Sequence, residues 1–156
     1  MKREEAIDYQ IKSCWHAIAR MYNQKAALDE NLTSSIGFVL ININSAEGTA
    51  ATKIAPLMGL ESRSLTRILK GMEEKGLIYK KPDPLDKRSV RIFLTEEGMR
   101  LKGMSVKTIK EFNDAVRQAL TAEELNIFFR IFKKINKVIE KFPAESTDTP
   151  STTFKS

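Results

Sequence analysis

Six side chains that can donate or accept hydrogen bonds fall within nine residues: Ser62, Arg63, Ser64, Thr66, Arg67 and Lys70. On a helix of about 3.6 residues per turn, Arg63, Arg67 and Lys70 share one face, with Ser64 and Thr66 at its borders. Leu65, Ile68, Leu69 and Met72 take the opposite, core-facing side. A major groove admits one helix, and Arg, Ser and Thr are side chains that bond to base edges there. An ordinary amphipathic helix with a solvated basic face has the same spacing, so this stretch does not decide the matter alone.

A second cluster follows at once. Pro82 and Pro84 flank Asp83, fixing the backbone and removing two N–H donors, and the chain then offers Asp86, Lys87, Arg88 and Ser89. The pattern predicts a hairpin, with a strand from Leu77 to Lys81 and a return strand from Val90 to Leu94. A rigid ribbon with Lys and Arg at its tip can place a cation in a minor groove, where the potential is negative. Asp86 is expected to orient Arg88 through a charge-assisted bond. Asp83 and Asp86 are both expected on an exposed turn, which argues against a buried carboxylate pair.

These side chains need elements to hold them. A short apolar helix ends at Gly59, a second begins near Glu61 and stops at Gly76, and the hairpin follows. Helix, tight turn, helix and two-stranded ribbon make a winged helix-turn-helix over residues 33–94, within a mostly α fold that has a small β-wing. A short third strand is expected near Glu47-Gly48, and Thr49 is expected to cap the helix that holds Ile54 and Leu57.

The run Leu-x-x-x-Ser-Leu-Thr-Arg, Met-Glu-Glu-Lys-Gly-Leu-Ile, Asp83-Pro84-Leu85-Asp86-Lys87-Arg88-Ser89 and Leu-Thr-Glu-Glu-Gly resembles the MarR family of bacterial transcriptional regulators. The wing motif is its specific part, and the similarity extends by pattern over about residues 5–142. The resemblance implies a homodimer on a palindromic operator, usually repressing and often released by a small phenolic or other lipophilic ligand. It also implies a ligand cavity where the helical platform meets the winged part. Trp15, His16 and Arg20 are candidates there, with Arg20 to pair with a carboxylate and Trp15 as an apolar wall. The bland reading makes Trp15 core and Arg20 a surface charge. Pro56 departs from the family, which more often has a charged residue there, and predicts a short or bent first helix. One branch of the family senses peroxides through a cysteine in the first helix. Cys14 lies there, but Ile18 stands where that branch has a tyrosine, and Cys14 reads as a plain core thiol.

The flanking segments read as helices. Residues 4–28 carry Ile7, Ile11, Cys14, Trp15, Ile18, Met21 and Tyr22 at spacings of three and four. Thr33 caps a helix with Ile36, Leu40 and Ile43 inward. Thr95 caps a long helix with Met99, Met104, Ile109, Phe112, Val116 and Leu120 on its apolar side. Thr121-Ala-Glu-Glu124 is a capping box opening a last helix with Leu125, Phe128, Phe129, Phe132, Ile135 and Ile139. So much aromatic area, about 150 Å² or more per phenylalanine, exceeds what a peripheral helix of one small domain buries. Residues 4–28 and 95–142 therefore read as a dimerisation region, with Ile7, Ile11, Phe128, Phe129, Phe132 and Ile135 in a shared core. Residues 1–142 read as one domain, and 143–156 as a polar, disordered tail.

Composition bounds the function. The chain has 156 residues and a net charge of +6. Residues 60–91 carry nine Lys/Arg against five Asp/Glu, a net +4, whereas residues 1–59 balance six against six. Positive charge thus concentrates where phosphates would be met. A single cysteine rules out an internal disulfide framework and fits a reducing cytoplasm. No apolar run reaches the roughly 18 residues of a membrane span. There is no His-x-x-x-His, Cys pair, Gly-rich phosphate loop or Gly-x-Ser-x-Gly, so no enzyme, metal or cofactor is expected. The competing classes are a DNA-binding regulator, a cysteine-based redox-sensing regulator, and a winged-helix module that binds protein instead of DNA.

Overall fold

The computed structural model describes residues 2–29 and 31–142. After a 3-10 turn at Arg3–Glu5 come α1 (Ile7–Ala26), α2 (Ser34–Ile41), β1 (Thr49–Ala50), α3 (Ala51–Leu57), α4 (Ser62–Glu74), β2 (Ile78–Pro82), β3 (Val90–Leu94), α5 (Glu96–Ala119) and α6 (Ala122–Lys141). The chain divides into two units, Met1–Phe112 and Asn113–Ser156. The tail expected at 143–156 lies outside the described residues.

Local chemistry sets the element ends. The Thr33 hydroxyl accepts the Ile36 N–H at 3.2 Å and starts α2. Both helices of the helix-turn-helix stop at a glycine in the left-handed region, Gly59 at φ 61° and Gly76 at φ 68°. At the end of α3 the Gly59 and Leu60 N–H groups return to Pro56 and Ala55. At the end of α4 those of Gly76 and Leu77 return to Glu73 and Met72. Each is a paired closure of orphan carbonyls that a side chain with a Cβ would strain. Pro56 sits inside α3, which is seven residues long, in line with the short first helix expected there.

Thr49 does not cap α3. The N-cap is Ala50, with no side-chain bond, while the Thr49 hydroxyl donates to the Asn42 carbonyl and accepts the Asn44 N–H. The physical reason is that Thr49 is already paired into the sheet, as the third strand. The sheet order is β1-β3-β2, all antiparallel, with Thr49 opposite Ile92 and Ile78 opposite Leu94.

The core of the first unit gathers Val39, Leu40 and Ile43, then Ile54, Leu65, Leu69 and Met72, then Leu77, Ile78, Ile92, Leu94 and Leu101. Fully burying one such side chain contributes about 1.5–3 kcal/mol relative to leaving it in water. The buried residues of α5 are Gly98, Leu101 and Ser105; of the expected stripe Met104 packs against the core and Ile109, Phe112 and Leu120 are half-buried, whereas Met99 and Val116 are exposed. Gly98 is needed there because a Cβ would lie 2.0 Å from the Leu77 carbonyl oxygen. In α1 only Tyr22 and Ala26 are buried. Cys14 is therefore exposed rather than a core thiol.

The second unit is dominated by α6. Thr121 and Glu124 form the expected capping box, which holds the Glu124 carboxyl below its ordinary pKa, chiefly through the Thr121 backbone N–H. Phe128 packs on Phe132 at 4.6 Å and edge-on to Phe129 at 5.4 Å between ring centroids. No residue of α6 is buried.

Candidate nucleic-acid interface

On α4 the core takes Leu65, Leu69 and Met72. That fixes the helix's rotation and turns Ser62, Arg63, Ser64, Thr66, Arg67 and Lys70 to solvent, all six exposed. Thr66 spends its hydroxyl proton on the Ser62 carbonyl at 2.8 Å, leaving its oxygen able to accept. Among the described residues, none of Arg63, Arg67 and Lys70 is in an ion pair.

The hairpin is braced from within. Asp83 is 4% exposed, which corrects the expectation of an exposed turn carboxylate. Its Oδ2 lies 3.4 Å from Arg91 Nη2, and its Oδ1 accepts the Leu85 N–H at 2.9 Å. Arg91 Nη1 donates to the carbonyls of Glu47 and Gly48, at 3.2 and 3.4 Å, tying the wing to the approach to β1. Asp83 is buried because an arginine with these other partners reaches over it, and the pairing offsets the cost of desolvating its charge.

Asp86 also acts differently from expectation. It accepts the backbone N–H of Arg88 at 2.9 Å and does not pair with the guanidinium. It shapes the turn, as aspartates two residues upstream of a free N–H commonly do, and leaves the Arg88 side chain to solvent. Lys87 and Arg88 are exposed. Ser89 is half-buried with its hydroxyl oxygen buried. Its N–H donates to the Asp86 carbonyl and its own carbonyl accepts the Asp83 N–H, so it closes the turn from inside. On the outer face of the ribbon Tyr79 stacks on Phe93 at 5.4 Å, with Lys81 over both rings.

A separate, partly open cavity of about 40 Å³ lies among α1, α2 and α5, lined in part by Tyr22, Lys25, Thr33, Phe38, Met104 and Ser105. Burial pushes the Tyr22 phenol above its ordinary pKa. None of Trp15, His16 and Arg20 lines this cavity. His16 and Arg20 border an open groove of about 480 Å³ along α1, and Trp15 packs on Phe38 at 5.6 Å between centroids. The structure thus brings His16 and Arg20 together and sets Trp15 apart from them. The cavity is lined instead by the aromatic pair Tyr22 and Phe38, whose rings lie 5.7 Å apart.

Two helices joined by a glycine turn, followed by a braced ribbon with a basic tip, define a winged helix-turn-helix protein. Residues 32–90 match the model of the MarR family. The HTH-type transcriptional regulator SarZ of Staphylococcus aureus is 34% identical over 95 residues, a match covering 58% of this chain and 64% of SarZ. The chain thus spans under two thirds of that relative's length. The Staphylococcus aureus MepR–DNA complex shares the fold with a TM-score of 0.77, at 22% identity over 86% of this chain and 98% of that one. So does CouR from Rhodococcus jostii bound to p-coumaroyl-CoA, with a TM-score of 0.73, at 21% identity over 86% and 94%. Residues 32–90 are thus similar to the MarR family, and the relative SarZ that this chain resembles is an HTH-type transcriptional regulator.

Proposed function

We propose that this chain is a sequence-specific DNA-binding regulator that works as a homodimer, represses from a near-palindromic operator, and is released by a small lipophilic or aromatic ligand. The observation that carries the reading is the joint exposure of Arg63, Arg67 and Lys70 on α4 and of Lys87 and Arg88 on the braced wing. The α4 face suits major-groove readout and the wing tip suits the minor groove. MepR was solved with DNA and CouR with an acyl-CoA, which supports both halves of the proposal. The exposed phenylalanines of α6 support a second copy. Among the described residues no helix is long and apolar enough to cross a membrane.

The cavity supports release by displacement. At about 40 Å³ it is far below the roughly 300 Å³ or more of pockets that hold drug-sized ligands. A ligand that seats fully in it pushes α1, α2 or α5 apart. Because α2 and α4 share one core, that push would be felt by the reading helix.

Selection from random duplex DNA, followed by binding at several salt concentrations, tests the function. The wild type should select a near-palindrome with half-sites about 10 bp apart. Arg63→Ala or Arg67→Ala should relax one base preference by about 1–3 kcal/mol. Lys70→Ala should weaken all sequences and flatten the salt slope. Salt-insensitive or absent DNA binding by the wild type would favour the protein-binding module instead.

A further inference from the structure

The tip of the wing holds one apolar side chain that the core does not use. Leu85 is 88% exposed, the most of any large apolar side chain among the described residues. Isolated surface leucines are common and need no role. This one differs in how firmly its backbone is held.

Pro84 fixes the chain just before it. The Leu85 N–H donates to Asp83 Oδ1 at 2.9 Å, and the same carboxylate is buried against Arg91. Beyond Leu85, Asp86 Oδ1 accepts the Arg88 N–H at 2.9 Å and the Asp86 carbonyl accepts the Ser89 N–H at 2.9 Å. The Asp83 N–H then returns to the Ser89 carbonyl at 3.0 Å and closes the loop. Leu85 therefore stands on a preorganised turn, next to the exposed cations Lys87 and Arg88. Ordering has been completed in advance, so little entropy remains to be lost on docking.

We propose that Leu85 is an apolar wedge for the minor groove, entering at a pyrimidine–purine step beneath the wing and partly unstacking it. The proposal rests on the reading of the wing as a minor-groove element. Proteins that bind this groove combine Arg or Lys with leucine-like wedges, and pyrimidine–purine steps yield most readily. Lys87 and Arg88 supply the attraction to the negative groove. Leu85 removes its apolar surface from water there and makes the site's flexibility, not its hydrogen bonds, the property that is read. It would thus set sequence preference at a position that no polar side chain touches.

The test uses the full chain and a duplex selected by the wild type from a random pool, with 2-aminopurine placed in turn at each step under the wing. The wild type should enrich TA or CA/TG at that position, and 2-aminopurine fluorescence should rise on binding. Leu85→Ala should lose the rise and the step preference and bind about tenfold more weakly, while Leu85→Met should keep all three. Because the side chain is solvent-exposed, both variants should unfold at the wild-type temperature. A Leu85→Ala variant with wild-type step preference and fluorescence overturns the wedge and leaves the regulator standing. A wild type that binds no duplex overturns both.

Discussion

Asp83 and Arg91 turn the wing's electrostatics inward, while Lys87 and Arg88 turn theirs outward. The inward pair sits where one donor is already unmet, since Arg91 Nε is buried without a hydrogen-bond partner among the described residues. Asp83→Asn should therefore lower unfolding stability by about 2 kcal/mol, measured by urea denaturation, because a half-paired guanidinium is left under the wing. The same change gives a cleaner signal in DNA binding. It removes a negative charge from a basic surface, so long-range electrostatics alone would tighten binding. If the pair braces the wing, binding should weaken instead. Anisotropy titration reads the sign directly, and tighter binding would refute the brace.

At the scale of elements, Arg100 holds the segment after α1 against the start of α5. Its Nη2 lies 2.6 Å from Asp29 Oδ2 and 2.5 Å from Glu97 Oε1, and its Nε donates to Glu97 Oε2 at 2.8 Å. Hydrogen bonding to Arg100 holds both carboxyls below their ordinary values of 3.8 and 4.5. A carboxyl whose pKa is lower in the folded chain adds stability that is complete above its unfolded value and is lost as pH falls through the folded one. Arg100→Gln should thus be less stable than the wild type at pH 7. The gap should shrink as pH drops below the ordinary carboxylate values. Thermal melts from pH 7 to pH 3 check this, and a constant gap would mean that Arg100 acts by packing alone.

At the scale of the whole molecule, the unanswered surface is on α6. Phe128 is 47% and Phe129 53% exposed, with Ile131, Val138 and Ile139 also open. On α1, Ile7 is 64% exposed. Apolar area of this kind on one helix is a site of association unless something covers it. We expect a dimer by sedimentation at micromolar concentration. Phe128→Asp should shift it to monomer, because a buried unpaired carboxylate would cost several kcal/mol. A wild type that sediments as a monomer yet binds a palindrome tightly is incompatible with the proposed assembly.

Much of the winged part was legible in the residues. Thr33, Thr121 and Glu124 mark helix starts, and Gly59 and Gly76 mark helix ends, because capping bonds close within a few positions of the chain. The return strand was legible at Val90–Leu94, and the prolines bracket the turn that sets its register. The exposed face of α4 could be read because its spacing leaves one choice of buried side. Other features depended on partners far away in sequence. The burial of Asp83 depends on Arg91, which is held in turn by the Glu47 carbonyl 44 positions upstream. The turn of α5 toward Gly98 and Leu101 depends on the Leu77 carbonyl, which leaves room there only for a glycine. The cavity depends on three helices meeting around Tyr22 and Phe38. A local hydrogen bond is written in a few adjacent residues, so the sequence alone determined the helix ends at Thr33, Thr121, Gly59 and Gly76 and the exposed face of α4, but not the start of α3. Desolvation and close packing arise only when distant segments meet, so the tertiary structure alone decided the wing's inner brace, the facing of α5 and the place of the cavity.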